Sequence, residues 1–211
     1  GDTKTGQQSN ITVTVAAIGS FTVAGVTDPV IAGSASDVTI TALDLYNNIK
    51  TDYTGAITFT SDDAQAVLPT SYTFIGADNG VKTFTAAVTM KTSGEKYLRV
   101  TGDTRTGQQS NITVNPAPAN KLLWVQAPAS PRTAGASWSI TPPMIEITDT
   151  YNNRRTADTT TVSLVTATGT SGFISGAGVP AVNGLVTFSA ALYNKAETIT
   201  IIGTATGVPN D

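Results

Sequence analysis

The sequence repeats itself almost without change at a distance of one small domain. Residues 1–13, GDTKTGQQSNITV, return at residues 102–114 as GDTRTGQQSNITV, and the two copies differ only at Lys4 and Arg105. A third, decayed copy of the opening begins at Gly203. A period of about 100 residues is a common size for an independently folding domain. We therefore expect two structural units that share one fold.

The composition argues against several classes of function. The chain has no cysteine and no histidine, so disulfides, zinc sites and histidine-activated nucleophiles are not available to it. Charged residues make up 13% of the chain and the net charge is −3, which does not favour nucleic acid as a partner. No apolar run approaches the ~18 residues of a membrane helix. We expect no enzymatic activity and no cofactor, and the threonine-rich, weakly charged surface is typical of extracellular or cell-surface β proteins.

Alternation of apolar and polar residues predicts strands throughout and no helix. In the first repeat an opening strand begins at Phe21 and a seventh strand ends the unit with Ile112 and Val114 on the core face. Between them, the predicted inward-facing residues are Val38, Ile40, Ala42, Ile57, Phe59, Tyr72, Phe74, Phe84, Ala86, Val88, Met90, Leu98 and Val100. Seven short strands with turn signals between them predict an antiparallel two-sheet sandwich of immunoglobulin type.

The second repeat keeps this order with diverged residues. Its predicted inward-facing residues include Ile145, Ile147, Val162, Leu164, Ala190, Leu192, Ile199 and Ile201. Residues 207–211 stand where the strand Ser-Asn-Ile-Thr-Val would appear, so no seventh strand is expected. The predicted layout is an unpaired last strand at 1–17, an immunoglobulin-like domain at 18–115, a Pro/Ala linker at 116–120 and a second such domain at 121–211 that lacks its last strand.

Several landmarks occur in one recognisable order. They are Ala32-Gly33, Asp44-Leu-Tyr-Asn-Asn48, Tyr53-Thr-Gly55, Phe59-Thr-Ser-Asp62, Leu68-Pro69, Tyr72-Thr-Phe74 and Asp78-Asn-Gly80 with Phe84. The first domain resembles the immunoglobulin-like tandem repeats of large bacterial and archaeal surface proteins, and it is distantly similar to invasin-type and filamin-type repeats. The second domain keeps the Ala-Gly, Asp-x-Tyr-x-Asn and Gly-x-x-Thr-Phe elements but lacks Tyr-Thr-Gly and Leu-Pro. The resemblance implies an extracellular module of stalks, adhesins or envelopes without shared catalytic residues.

A spare strand and a missing strand predict a head-to-tail joint. We expect residues near 9–16 to insert as the last strand into the second domain of a neighbouring molecule, which would build a filament. The predicted donor residues are Asn10, Ile11, Val13 and Val15, and the predicted acceptor groove between the first and sixth strands includes Leu123, Val125, Ile199 and Ile201. Two alternatives stay open. The chain can be a window of a longer tandem array, or the strand can fold back on its own chain.

Other motifs give secondary hypotheses. Asn10 and Asn111 each begin an Asn-x-Thr glycosylation acceptor sequence. Aspartates recur near turns, and hydrogen bonding to nearby backbone is favoured there over calcium binding. An internal Lys–Asn crosslink is not expected, because the first domain has no lysine between Ala16 and Leu43. Trp138, between two serines, is the candidate aromatic for stacking on a surface glycan, which would make the chain a sugar-binding module instead.

Overall fold

The chain folds into two compact units. The computed structural model describes residues 1–173 and 175–208. One unit holds residues 1–28, 34–89 and 95–113, and the other holds residues 29–33, 90–94 and the described chain from 114 onward. The division at 113/114 lies two residues before the end of the first domain expected at 115. The short segments 29–33 and 90–94, which the sequence assigned to the first domain, group with the second unit.

The first repeat forms two sheets from eight strands. The strands are β1 (Ile18–Ala24), β2 (Val30–Ile31), β3 (Ala35–Asp44), β4 (Ala56–Ser61), β5 (Tyr72–Thr73), β6 (Val81–Thr89), β7 (Gly94–Gly102) and β8 (Arg105–Asn115). One sheet has the order β1-β3-β6 and the other the order β2-β8-β7-β4-β5. Pairing is antiparallel except between β2 and β8, which run parallel with Val30 opposite Val114. We call these two sheets the first sandwich.

Inward-facing apolar residues hold the first sandwich together. Val38, Ile40, Ile57, Leu98, Val100 and Ile112 are all fully buried, as the alternation predicted. Phe59 of β4 meets the edge of Phe84 of β6 at 5.3 Å between ring centroids, which joins the two sheets. Ala86 is an exception to the prediction. It is exposed and has a φ of 48°, because it lies in a bulge of β6 in which residues 85–87 stand opposite Asp37 alone. The bulge contains two extra residues, so Phe84 and Val88 on either side of it keep the same inward face.

The second repeat forms two three-stranded sheets, the second sandwich. Its strands are β9 (Lys121–Gln126), β10 (Met144–Thr148), β11 (Thr161–Thr166), β12 (Gly178–Pro180), β13 (Leu185–Thr187) and β14 (Ile201–Thr204). The sheet orders are β13-β10-β9 and β12-β11-β14. These match β6-β3-β1 and β5-β4-β7 of the first sandwich strand for strand.

The core of the second sandwich is formed by the predicted strands, but the alternation of inward and outward residues shifts by one position after Phe188. Ile145, Ile147, Val162 and Leu164 are buried, as expected. After Phe188, however, Ala191 and Tyr193 face the core, and Ala190 is exposed, so the prediction of Ala190 and Leu192 as inward residues is wrong. The chain turns at residues 189–190 instead of continuing as a strand, which shifts the alternation by one residue.

The prediction of an all-β fold is confirmed. Within residues 1–173 and 175–208, the one helical element is a single 3₁₀ turn at Gly76–Asp78. No helix of this described part is long and apolar enough to cross a membrane.

Candidate functional site

An aspartate fixes the point at which the chain enters each sandwich. Asp149 is fully buried at the end of β10 and accepts hydrogen bonds from the backbone N–H groups of Tyr151 at 2.8 Å and Asn153 at 2.9 Å. It also accepts from the Asn153 side-chain amide at 2.8 Å and from the backbone N–H of Ala117 at 2.9 Å. Ala117 precedes β9, so this carboxylate ties the incoming chain to the sandwich. We call this arrangement the aspartate clamp.

Asp44 repeats the clamp in the first sandwich. Its carboxylate accepts from the backbone N–H groups of Tyr46, Asn48 and Ala16, the last at 2.9 Å. The hydrogen bond from Ala16 and those from Asn48 and Tyr46 outweigh the effect of burial and lower the pKa of Asp44 to about 2. Ala16 stands 101 residues before Ala117, which is the period of the sequence repeat. The two sandwiches therefore receive their chains in the same way.

The recurrent aspartates are turn residues in the structure. Each of those that the sequence singled out accepts at least one hydrogen bond from the protein's own N–H or O–H groups: Asp44, Asp62, Asp63, Asp78, Asp149 and Asp158. Within the described residues, no group of three or more acidic side chains is placed to hold a metal ion. Five of the six accept a hydrogen bond from backbone within four residues, as hydrogen bonding to nearby backbone predicts, whereas Asp62 accepts from the distant N–H of Tyr97.

The N-terminal segment lies in the open. Residues 1–14 are all exposed, with Ile11 at 67% and Val13 at 88% of full exposure. In the described part of the chain they pair with no strand. Asn10 nevertheless has a φ of 63°, close to the 57° of its counterpart Asn111 in β8. We call residues 1–14 the free segment.

The copy of the free segment within β8 is fully docked. Ile112 and Val114, the counterparts of Ile11 and Val13, are 0% and 2% exposed. The backbone N–H of Thr113 donates to Asp28 at 2.9 Å, and the carbonyl of Asn115 accepts from the N–H of Ala32 at 2.8 Å. The same sequence is thus solvent-exposed at one place in this chain and buried at the other.

The second sandwich lacks a counterpart of β8 among its described strands. β14 occupies the place of β7 and, within residues up to 208, pairs only with β11. Ile199 and Ile201 pack partly buried against the core, whereas Leu98 and Val100 on β7 are completely buried. The predicted seventh-strand position at residues 207–211 lies mostly outside the described residues. The open edge of β14 and the half-buried apolar residues beside it form the candidate site.

Two of the four residues predicted for the acceptor groove lie on the wrong face. Leu123 and Val125 are 40% and 51% exposed, and it is Leu122 and Trp124 that pack against the core. The run Leu-Leu-Trp-Val is apolar at every position, so its sequence contains no alternation from which the inward face can be read. The inward side of β9 is therefore lined by Leu122 and Trp124.

The structure also places the remaining predicted residues. Val15 is half-buried beside the clamped Ala16, at the position equivalent to Pro116, which follows β8; it therefore lies outside the free segment. Asn10 and Asn111 both have exposed side chains. Glycosylation at either remains a prediction.

Trp138 is buried instead of exposed. It is 4% exposed, meets the edge of Phe173 at 5.3 Å between ring centroids, and carries the Arg132 guanidinium 5.6 Å from its ring centroid. Its ring is therefore not available as a sugar-stacking platform. The prediction assumed exposure from the flanking serines, but the side chain that alternates inward between two outward-facing serines packs into the core.

A cavity of about 320 Å³ lies beside Trp138. Its walls are the segment 128–134 after β9 on one side and Ile199 and Ile201 on the other. At its rim Glu197 accepts hydrogen bonds from the Tyr193 hydroxyl and from Thr170, and these contacts lower the pKa of Glu197 to about 2. This cavity was not predicted from the sequence. The signal in the sequence that could have located one of its walls is the correspondence of Ser130-Pro131 to Asp28-Pro29, since two residues separate the proline from Ala-Gly in both segments.

Comparison with solved structures gives similar chains of low sequence identity. The Escherichia coli adhesin FdeC is 20% identical, with a TM-score of 0.41, 93% of this chain covered and 63% of that chain. InvD of Yersinia pseudotuberculosis is 17% identical, with a TM-score of 0.40 and coverages of 86% and 60%. Invasin, a bacterial integrin-binding protein, is 19% identical, with a TM-score of 0.39 and coverages of 90% and 37%.

These neighbours are bacterial adhesin and invasin chains, as the sequence resemblance expected. The chain spans less than two thirds of the length of each of the three. No protein-family model and no curated protein matches it.

Proposed function

We propose that the chain is a structural unit of an extracellular or cell-surface assembly whose sandwiches are joined by strand complementation. The free segment of one copy adds to the open edge of β14 in the second sandwich of the next copy. Two observations carry this proposal: within the described residues no strand pairs with β14 at the edge where β7 carries β8, and residues 5–13 of the free segment repeat residues 106–114 of β8.

Strand addition would use two kinds of contact. Backbone N–H and C=O groups along β14 would pair with those of the incoming strand, and apolar side chains would fill the groove beside Ile199 and Ile201. An open strand edge with apolar neighbours is otherwise a site for aggregation, which is a reason for it to be covered.

The geometry of such a joint leads to a linear polymer. The donor lies at one end of the chain and the acceptor in the last sandwich, so the contact is head-to-tail and need not close. The role is mechanical and needs no catalytic residue.

A specific observation favours a second version of the same joint. Within this chain, β8 completes the first sandwich and the backbone then runs through residues 116–120 to β9, with Ala117 held by the aspartate clamp. The free segment is held at Ala16 by Asp44 in the same manner. In a longer tandem array the free segment would therefore complete a preceding sandwich of the same polypeptide, and the chain would be a spacer of a surface adhesin.

Mass measurement separates the two versions. We expect light scattering after size exclusion to show that the mass of the intact chain rises with protein concentration. A chain that lacks residues 1–14 should remain a monomer at the same concentrations. Residues 15 and 16 are kept so that the clamp on Asp44 stays intact. If the intact chain stays monomeric at every concentration, the filament proposal is wrong and the tandem-array version is favoured.

A further inference from the structure

We propose that the 320 Å³ cavity beside Trp138 is the side-chain pocket for Ile11 and Val13 of a second copy, with Val13 opposite Arg132 and Thr14 opposite Thr133. This inference rests on the proposed strand complementation and specifies its binding site and register.

The segment 130–135 repeats the segment 28–33. Each contains a proline at its second position and Ala-Gly at its end. Gly33 and Gly135 have positive φ values of 86° and 79°. The N–H of Gly33 donates to the carbonyl of Met90 at 2.8 Å, and that of Gly135 donates to Tyr193 at 2.9 Å. The shared Pro and Ala-Gly residues, the positive φ of the closing glycine and the hydrogen bond from its N–H make the two segments counterparts.

This equivalence gives the cavity a counterpart in the first sandwich. There, β8 lies between β2, which belongs to the segment 28–33, and β7. In the second sandwich the two walls of the cavity are the corresponding segment, which includes Arg132 and Thr133, and the chain around the start of β14, which includes Ile199 and Ile201. The cavity therefore occupies the place that the buried side chains of β8 fill in the first sandwich.

The size of the cavity suits two branched aliphatic side chains, and Trp138, Ile199 and Ile201 supply an apolar part of a lining that also contains Arg132, Lys195 and Glu197. An apolar cavity of ~150 Å³ holds a benzene-sized ligand, so about twice that volume has room for an isoleucine and a valine. Ala134 is exposed, whereas its counterpart Ala32 is 4% exposed under β8. The backbone N–H of Ala32 donates a hydrogen bond to the carbonyl of Asn115 in β8. Within the described residues, the backbone N–H of Ala134 donates to no backbone carbonyl.

The register follows from the pairs in the first sandwich. Val30 lies opposite Val114 and Ile31 opposite Asn115 in the parallel ladder. Transferred to the second sandwich, these pairs become Arg132 with Val13 and Thr133 with Thr14. Val30 and Val114 face the core of the first sandwich, whereas Ile31 faces outward and is 45% exposed. By this correspondence Val13 faces the core of the second sandwich, and the pair of Thr14 and Thr133 lies on its outer side.

A glycine in the free segment provides an independent observation. Gly107 in β8 lies so close to β1 that an added Cβ would stand 2.1 Å from the carbonyl oxygen of Phe21. A Cβ added to its counterpart Gly6 would have no other atom within 4 Å. The open chain gives no steric reason for glycine at residue 6, but docking against β9, the counterpart of β1, supplies one.

Paired cysteines test the register in the intact chain. The protein has no cysteine of its own, so any disulfide comes from the introduced pair. Under mild oxidation the variant Thr14→Cys with Thr133→Cys is expected to form a ladder of covalent multimers. The control, Thr12→Cys with Thr133→Cys, displaces one cysteine by two residues, about 7 Å along the strand, and should give less than a tenth of that product.

A second variant tests the pocket without a crosslink. Gly6→Val should leave the melting temperature of the monomer unchanged and weaken association tenfold or more, whereas Thr5→Val, whose counterpart Thr106 is exposed, should change association less than twofold.

The outcomes separate the two proposals. If polymers form but the ladder comes from Thr12→Cys or from neither pair, the register is wrong and strand complementation stands. If Gly6→Val associates as well as the parent chain, docking against β9 is wrong. If the intact chain forms no polymer, the docking of a second copy in the cavity and the filament version of the proposed function both fail.

Discussion

Replacing the two apolar residues of the free segment is expected to weaken association about a hundredfold. Ile11 and Val13 are 67% and 88% exposed in the free chain, and their docked counterparts are 0% and 2% exposed. Burying a side chain of this size contributes about 1.5–3 kcal/mol. Removing most of both side chains with Ile11→Ala and Val13→Ala should therefore cost about 3 kcal/mol, which is ~100-fold in the dissociation constant.

Light scattering against protein concentration measures this change. The length of a head-to-tail polymer depends on the product of concentration and association constant, so the whole curve should move to ~100-fold higher concentration. Thr12→Ala is the matched control, because its counterpart Thr113 is exposed in β8, and it should move the curve less than twofold. Equal effects of the control and the double variant would refute the assignment of the inward face. An unchanged curve for the double variant would refute the role of the free segment.

Three further predictions concern the clamp and the open edge. Asp149→Ala removes the acceptor of four hydrogen bonds and should destabilise the second sandwich by roughly 3 kcal/mol in chemical denaturation; no loss would contradict the clamp. The folded pKa of Asp44, about 2, lies below its ordinary value of 3.8, so its stabilising contribution should be complete above about pH 4 and disappear as the pH falls through 2. Asp44→Asn should flatten that part of the stability profile, and a profile identical to that of the parent chain would contradict this origin. A chain with a second copy of residues 1–16 appended behind Asp211 should stay monomeric and unfold at a higher temperature, because an intramolecular strand competes at high effective concentration; continued polymerisation would argue against an open acceptor edge.

Strict alternation made most of the fold predictable. Val38, Ile40 and Ala42 alternate with threonines, and all three are buried as expected. The same rule failed at Ala86, where a bulge in β6 contains two extra residues, because a bulge depends on pairing with another strand and not on local sequence.

The candidate site was predictable in position but not in detail. The sequence duplication located the free segment and the strand edge that we propose as its acceptor. It did not distinguish Leu122 from Leu123, since both are apolar, nor did it show that Trp138 turns inward. The cavity between segment 128–134 and Ile199 arises from residues more than 60 positions apart, and its existence depends on tertiary packing.

Concentration-dependent hydrogen exchange tests the central claim most directly. At concentrations where the chain assembles, the amides of Ile11 to Thr14 and those of β14 should both exchange slowly, because each strand supplies hydrogen-bond partners to the other. Dilution should release both sets together, while the amides of β7 and β8 keep their protection. Rapid exchange in residues 11–14 at every concentration would contradict the claim that this segment completes the second sandwich of another copy.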